Sequence, residues 1–416
     1  MSDRARVTIV VTGMGAVSAA GGGVAELWKS AMRGRSPAAW HHDAHSPNCP
    51  RIPACIVRDV QSSGHHALRR YRKMDRSVQL ALDAASQAAA DARLDLATTS
   101  RPSVGVVVGT SRGPVHKVAE VAQRQHHLRQ TSPCASAYST LACISGALSM
   151  ALRAGGPSLT VSAACASSAH AIALGAQQIL LGAADVIIAG GAEAPLHDSV
   201  IRQLLATGIL GTHDDPARAC RPFDCTRNGT VLGEGAGFLV LESLASAQRR
   251  GARIHARLAG WAMGSDHFHE TAPTENGVGL CRVMMQALKM ARREPADLDY
   301  VNAHGTGTLA NDRIEISALR QLFGSSSLRV ACSSTKPVTG HCLGASAVLE
   351  AIVSIEAMKA GCIPPTANCA EIDPECDADI VIGQPRSGPV NLVLSNSLGF
   401  WGNNAALAFA TPCADD

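Results

Sequence analysis

A layered α/β fold is what this sequence predicts, on three observations. Short β-branched runs alternate with alanine-rich helical stretches along the whole chain. The 416 residues are 46% hydrophobic and 17% charged, enough to bury a large core in one big domain or two. Small side chains must fill that core, because 38 glycines stand against four Trp, three Tyr and six Phe. Such a composition suits parallel strands closely covered by helices.

In chain order, the strands read as Val7–Val11, Val104–Val108, Leu159–Val161, Asp185–Ala189, Phe238–Leu241, Tyr300–Asn302, Arg329–Cys332, Asn391–Ser395 and Ala405–Phe409. Most are short aliphatic runs bounded by polar or glycine-containing turns. Ser77–Asp91, Ala137–Ala154, Ala169–Leu181, Gly279–Arg293, Arg313–Leu322 and Ser346–Lys359 carry good helix formers, with apolar residues at helical spacing. Trp40–His66, polar and rich in His and Pro, reads as an irregular surface insertion. An internal echo runs through this order. Leu159–Leu181 goes strand, small residues, helix, and is followed by Asp185–Gly191 and Gly235–Leu241; Arg329–Met358 repeats it, followed by Asn391–Ser397 and Asn403–Phe409. Two copies of one unit would meet near residue 255, with a sheet in each, although any α/β chain alternates this way.

A formal charge of +3 gives no argument for nucleic acid. The 14 cysteines show no CxxC pair and no zinc-like spacing, which suits free thiols in a reducing cytosol. Met1–Arg6 leads into a strand without a signal-peptide profile, and no apolar run is long enough to span a bilayer. A soluble, cytoplasmic protein is expected. Only six of the 37 basic residues are lysines, so a lysine inside a motif stands out.

Reactive residues gather in four segments. Residues 161–170, Val-Ser-Ala-Ala-Cys-Ala-Ser-Ser-Ala-His, collapse from a β-branched run into small residues around Cys165 and then open into a helix. Small neighbours permit a sharp strand-to-helix turn, and a helix amino end favours the thiolate. Residues 302–308, Asn-Ala-His-Gly-Thr-Gly-Thr, place His304 at a strand end, where two glycines let backbone approach a ligand. Residues 333–344 put Lys336 and His341 in one loop before a helix. Residues 395–404, Ser-Asn-Ser-Leu-Gly-Phe-Trp-Gly-Asn-Asn, form a glycine-spaced loop whose amides would make half of an oxyanion hole. Singly, Cys165 reads as a buried hydrophobe, His304 as a turn residue, Lys336 as a surface charge and His341 as a helix cap. Together at strand ends they describe an acyltransferase working through a thioester.

VSAACASSAHAI, NAHGTGT, STKPVTGH and SNSLGFWG resemble the signatures of the β-ketoacyl-[acyl carrier protein] synthases, the elongating condensing enzymes. VTGMGAVSAAG, RPFDCTRNGTVLGEGAGFLVLE and DVIIAGGAEA resemble the same family, in order from about residue 7 to 410. The resemblance implies a thiolase-like fold, two βαβαβαββ halves stacked α-β-α-β-α, here residues 1–255 with the nucleophile and 256–416 with the His/Lys/His loops. It implies that Cys165 takes the acyl group from carrier-protein phosphopantetheine, and that the Cys165 and Phe400 amides hold the oxyanion. His304 and His341 would promote malonyl decarboxylation, Lys336 would support His304, and Thr306 and Thr308 would bind the pantetheine arm. Glu350 matches a supporting glutamate and, with Asn302, Ala303, Ser395 and Asn396, resembles a monovalent-cation site of some members. The resemblance implies no cofactor or required metal for the protein itself, since phosphopantetheine arrives on the carrier protein. That carrier is the implied partner, with a homodimer expected and a heterodimer with a related subunit the alternative; the basic run Arg69–Lys73 lies where such enzymes receive it, or is a solvated helix face.

Two residues depart from the family pattern. Trp401 stands where members commonly have glycine, adding bulk beside the Phe400 gate, and Arg112, in Gly109-Thr110-Ser111-Arg112-Gly113, falls near a usually apolar pocket position. Cys134–Ala137 is small where pocket aromatics often occur. These residues put long saturated chains in doubt and point to polyketide, polyene or aryl-polyene elongation beside fatty acid synthesis. A thiolase would need a second active cysteine in Ser395–Asn404, and none is there; a chain-length-factor-like structural subunit would lack Cys165.

Overall fold

Ten strands make one sheet, and one of its two longest shows how small residues build it. The computed structural model describes residues 7–43, 46, 48–58, 71–94, 103–127, 130–324 and 330–412. Strand β1, Ile9–Ser18, is buried at every position. Helix α2, Arg76–Asp91, lies so close upon it that a Cβ on Gly15 would fall 2.0 Å from the Ala84 carbonyl oxygen. The remaining strands are β2 Val104–Gly109, β3 Ser158–Val161, β4 Val186–Glu193, β5 Gly235–Ser243, β6 Ala256–Ser265, β7 Tyr300–Asn302, β8 Ala331–Ser333, β9 Leu392–Gly399 and β10 Asn403–Ala410.

The sheet order is β8-β7-β9-β10-β6-β1-β5-β4-β2-β3. Each side of its centre has the same scheme. In the first half β1–β5 and β5–β4 are antiparallel while β4–β2 and β2–β3 are parallel. In the second half β6–β10 and β10–β9 are antiparallel while β9–β7 and β7–β8 are parallel. The expectation of a separate sheet in each half needs correction, because β1 and β6 pair through Val10–Arg257 and Val11–Ala256. The two inner strands satisfy each other's backbone and fuse the halves into one ladder.

Helices α5 (Ser167–Leu180) and α9 (Ser346–Ala360) pack on each other and on strands of both halves, forming the middle layer. Helix α2 with α4 (Cys143–Ala151) covers the outer face of the first half. Helices α7 (Val278–Ala291) and α8 (Leu309–Phe323) cover that of the second. Three large apolar cores lie between these helices and the sheet, one around the middle helices and one under each outer pair.

Several elements escaped the sequence or moved. Strand β6 contains no β-branched residue, and α1 (Val24–Arg33), α3 (Val115–His126) and α6 (Asp198–Ala206) are charged, half-exposed helices. The single helix expected over Ala137–Ala154 is broken: a turn separates Ala135–Tyr138 from α4. There the Ser139 and Thr140 hydroxyls donate to the carbonyls of Ala135 and Ala137, competing with the helix ladder. Trp40–His66 is not wholly irregular. Ala39–His41 and the fully buried Ile52–Cys55 pair as strands, the latter also with Leu232–Gly233, while 59–66 lie outside the described residues. No described helix is long and apolar enough to cross a membrane.

A contrast of two glycines tests this packing. A Cβ on Gly109 would lie 2.3 Å from the Ser167 carbonyl carbon, so Gly109→Ala should push α5 off β2 and lower the urea midpoint sharply. Gly146, in α4, has nothing within 4 Å of an added methyl, so Gly146→Ala should raise stability by up to about 1 kcal/mol.

Candidate active site

The loops that follow the parallel strands of both halves converge on one cavity. Beyond Val161, the last residue of β3, the chain turns through Ala163 and Ala164 to Cys165 and enters α5. Ala164 takes φ 49°, a left-handed conformation that stores strain at this turn. Ser167 lashes the turn shut: its Oγ accepts from the Ala163 amide at 2.9 Å and donates to the Ala164 carbonyl at 2.6 Å. The end of β9 passes against it, since a Cβ on Gly399 would sit 3.0 Å from the Cys165 nitrogen. Glycine there brings the start of the Phe400 loop beside the Cys165 amide.

The second half supplies the other groups. After β7, the carboxylate of Glu315 on α8 accepts the His304 and Gly305 amides, each at 2.8 Å, and Asp312 accepts that of Thr306 at 3.0 Å. After β8, Lys336 opens a one-turn helix, Lys336–Thr339, and is fully buried. Its ammonium meets Glu350 Oε1 at 2.5 Å, His304 Nδ1 at 3.2 Å and the His304 carbonyl oxygen. Gly340, at φ 72°, turns the chain out of this helix before α9 begins. His341 is held by its amide to the Val231 carbonyl at 2.7 Å and by Nδ1 against Ser346 Oγ at 3.0 Å.

These groups surround a cavity of about 250 Å³ lined by Cys165, His304, His341, Thr306, Thr308 and Phe400, with Arg112 on its wall. The two imidazole rings stand 5.4 Å apart, nearly perpendicular at 82°. An ammonium only donates, so His304 Nδ1 accepts from Lys336 and its proton sits on Nε2. Burial, then the Lys336 charge and His341, hold His304 well below the usual histidine range; burial and Lys336 do the same to His341. Both rings are neutral at pH 7. Cys165 corrects an expectation. It is half-exposed to the cavity, yet desolvation of its sulfur pushes the thiol up to about 12, against the pull of Lys336. The thiol keeps its proton at rest, and a neutral imidazole is at hand to take it.

The remaining expected residues fall as follows. Thr306 and Thr308 bond through their hydroxyls at 2.9 Å, and Thr308 caps α8. Trp401 is 67% exposed and is absent from the cavity wall. It adopts φ 62°, which explains the advantage of glycine at this position, and its amide donates to the Glu270 carbonyl at 2.7 Å. Of the basic run, Arg69 and Arg70 lie outside the described residues, Tyr71 is buried, and Arg72 and Lys73 are exposed.

The residues of the expected cation site fit one in part. Asn302 Oδ1, Ser395 Oγ and Glu350 Oε2 are buried without hydrogen-bond partners. Asn302 and Ser395 are register partners on β7 and β9, so their side chains share a face, and Ala303 follows directly. Burial lifts Glu350 above the usual carboxylate range despite Lys336, so a cation there would relieve a real cost. The Asn396 side chain turns to the opposite face, with its amide on Glu315 and Met284, so only its backbone would serve such a site. Sequence reasoning missed Glu315 and Ser346. A glutamate set between Ile314 and Ile316 was the available signal for the first; the second carried none.

Residues 7–247 match the family Beta-ketoacyl synthase, N-terminal domain, and residues 255–370 match Beta-ketoacyl synthase, C-terminal domain. A 3-oxoacyl-[acyl-carrier-protein] synthase 2 of Staphylococcus aureus is 37% identical over 406 residues, spanning 97% of this chain and 98% of that protein. The ishigamide ketosynthase/chain length factor structure superposes with a TM-score of 0.88 at 33% identity, covering 98% of this chain and 100% of that one. AntDE:AntF, a type II PKS acyl-carrier protein in complex with its ketosynthase, gives a TM-score of 0.87 at 28% identity, covering 98% and 100%.

The electrostatics predict a titration. As pH falls through about 6.5, where a free imidazole takes up its proton, His304 and His341 should stay neutral. Ring carbon resonances of ¹³C-labelled histidine, assigned with His304→Ala and His341→Ala, would show it. Lys336→Met removes the positive charge and should move the His304 titration upward.

Proposed function

Because the chain belongs to the β-ketoacyl synthase family, and so is a condensing acyltransferase of fatty acid or polyketide elongation, we propose that Cys165 is its nucleophile and His304 and His341 its enolate-stabilising pair. One observation carries the reading: two neutral, perpendicular imidazoles 5.4 Å apart open on the same cavity as a strained cysteine turn. Cys165 is also the only cysteine among the described residues lining that cavity. A thiolase mechanism would need a second.

In the first half-reaction, Cys165 Sγ forms a bond to the thioester carbonyl carbon as its proton passes to Nε2 of His341, in the tautomer whose Nδ1–H donates to Ser346 Oγ. The bond to the pantetheine sulfur breaks, and that sulfur receives the proton. The amides of Cys165 and Phe400 hold the transient oxyanion, and Thr306 and Thr308 bind the arm. In the second, the bond between the malonyl carboxylate and C2 breaks, carbon dioxide leaves, and the electron pair moves into an enolate. His304 Nε2–H and His341 Nε2–H, the latter in the tautomer whose Nδ1 accepts from Ser346 Oγ, donate to the developing oxyanion. C2 then attacks the Cys165 thioester, and Sγ departs as a thiolate that takes a proton from solvent water, balancing the charge brought in by the malonyl carboxylate. Lys336 positions His304 rather than touching substrate, and Glu350 supports Lys336. Asn302, Ala303, Glu350, Ser395 and the backbone of Asn396 would hold a monovalent cation, whose charge would offset the buried carboxylate.

The acyl and malonyl donors are read as carrier-protein thioesters, as the complex of a similar ketosynthase with its carrier protein suggests. Residues 1–255 bring the nucleophile and 256–416 the imidazoles. The edge strand β3 leads straight to Cys165 and leaves Ser158 and Leu159 exposed, so we assign this edge to pairing with a second copy of the chain. A related subunit is the alternative, since a similar structure is a ketosynthase/chain length factor. Trp401 acts on substrate choice by stiffening the Phe400 loop, not by filling the cavity.

Intact-mass analysis after incubation with acyl carrier protein should find one acylation, lost in Cys165→Ala. His304→Ala and His341→Ala should slow malonyl decarboxylation by roughly 100- to 1000-fold while acyl transfer falls less. Normal decarboxylation by both variants would remove the assigned roles. Trp401→Gly should raise turnover of long saturated acyl carriers; an unchanged chain-length profile would exclude the gate from selection.

A further inference from the structure

Arg112 occupies the cavity wall without a counter-charge. The loop after β2 is bent by Glu193, whose carboxylate accepts the Ser111 amide at 2.6 Å and the Arg112 amide at 2.9 Å. This fixes the Arg112 backbone and leaves its side chain on the wall shared with Cys165. Among the described residues the guanidinium has one side-chain partner, the neutral Gln203 Oε1, at 3.1 Å on the exposed side. Its Nε is buried with no acceptor, and no carboxylate pairs with it among the described residues. Glu193 is already saturated by backbone donors, including the Gly344 amide. The same cavity is lined by the apolar Leu204, Ile209, Leu343, Leu398 and Phe400 beside neutral polar residues, and no described carboxylate lines it. Arg112 is the only Arg or Lys lining the cavity among the described residues.

A bare alkyl chain laid against this group would strip its water and return nothing. An acyl group carrying oxygen would complete it, because a guanidinium presents donors in a fork that suits carbonyl and carboxylate acceptors. We propose that Arg112 reads the acyl chain delivered to Cys165, selecting acyl groups that bear a carbonyl or carboxylate oxygen beyond the thioester. The proposal rests on the condensing reading and names its substrate class. A β-keto chain and a chain ending in a free carboxylate share the required acceptor.

The test measures initial rates of Cys165 acylation by three pantetheine thioesters of equal length: hexanoyl, β-ketohexanoyl and adipoyl. Wild type should favour at least one oxygenated donor over hexanoyl by about 10- to 100-fold, the size of a hydrogen bond to a charged group. The better of the two identifies the acceptor as ketone or carboxylate. Arg112→Ile should bring the ratio near one while the hexanoyl rate rises, and Arg112→Lys should keep part of the preference. Equal rates for all three donors in wild type would overturn the proposal while leaving condensation intact. So would an Arg112→Ile variant slowed alike on all three, since that is the mark of a charge acting on Cys165 itself. Failure of every donor to acylate wild-type Cys165 would remove the condensing reading, and the proposal with it.

Discussion

One buried ammonium group holds the second half of the site in place. A lysine taken out of water costs several kcal/mol unless each of its donors is met, and Lys336 has three donors and three acceptors. Two of these belong to His304, so the same contact fixes the loop, the ring and its tautomer. The third, Glu350, ties the group to α9. Because Lys336 opens the short segment that ends at His341, the distance between the two imidazoles is set by one residue's need for neutralisation. Burial keeps both rings neutral, and the same charge adds to it. Structural and electrostatic demands therefore fall on one side chain.

The two halves solve one problem in the same way and then diverge. Register places Gly109 on β2 opposite Val161, as it places Asn302 on β7 opposite Ser333. Two residues further on, Ser111 and His304 each give an amide to a buried carboxylate, Glu193 in one half and Glu315 in the other. Burial lifts both carboxyls to about 7, a cost that the backbone donors only partly offset. The bend so made carries His304 in one half and Arg112 in the other. The strand-to-helix turns after β3 and β8 likewise yield Cys165 and His341. A repeated scaffold thus supplies four unlike groups to one cavity.

How much of this was legible follows from what each residue shows locally. That Cys165, His304, Lys336 and His341 come together was readable because turns of small residues at strand ends leave few structural reasons for such side chains. Strand β6 was not, because Ala, Gly, Leu, Met and Trp form it only when β1 and β10 are there to pair with. The protonated state of Cys165 was also hidden. A helix amino end suggested a thiolate, but the packing that desolvates the sulfur involves residues far apart in the chain. Trp401 signalled its oddity by type, while its left-handed backbone and outward side chain emerged only from the fold.

The position of β10 has a consequence for how the molecule comes together. This strand is the tenth in chain order yet lies inside the sheet, between β9 and β6. Until residues 403–410 have been synthesised, β6 is the outermost rung of the first half's ladder, and β9, β7 and β8 have nothing to attach to it. The nascent chain must carry two unjoined sheet edges past the point at which every reactive side chain already exists. Closure of the sheet therefore waits on this strand, and an emerging polypeptide of this design leaves those edges open to foreign strands until then.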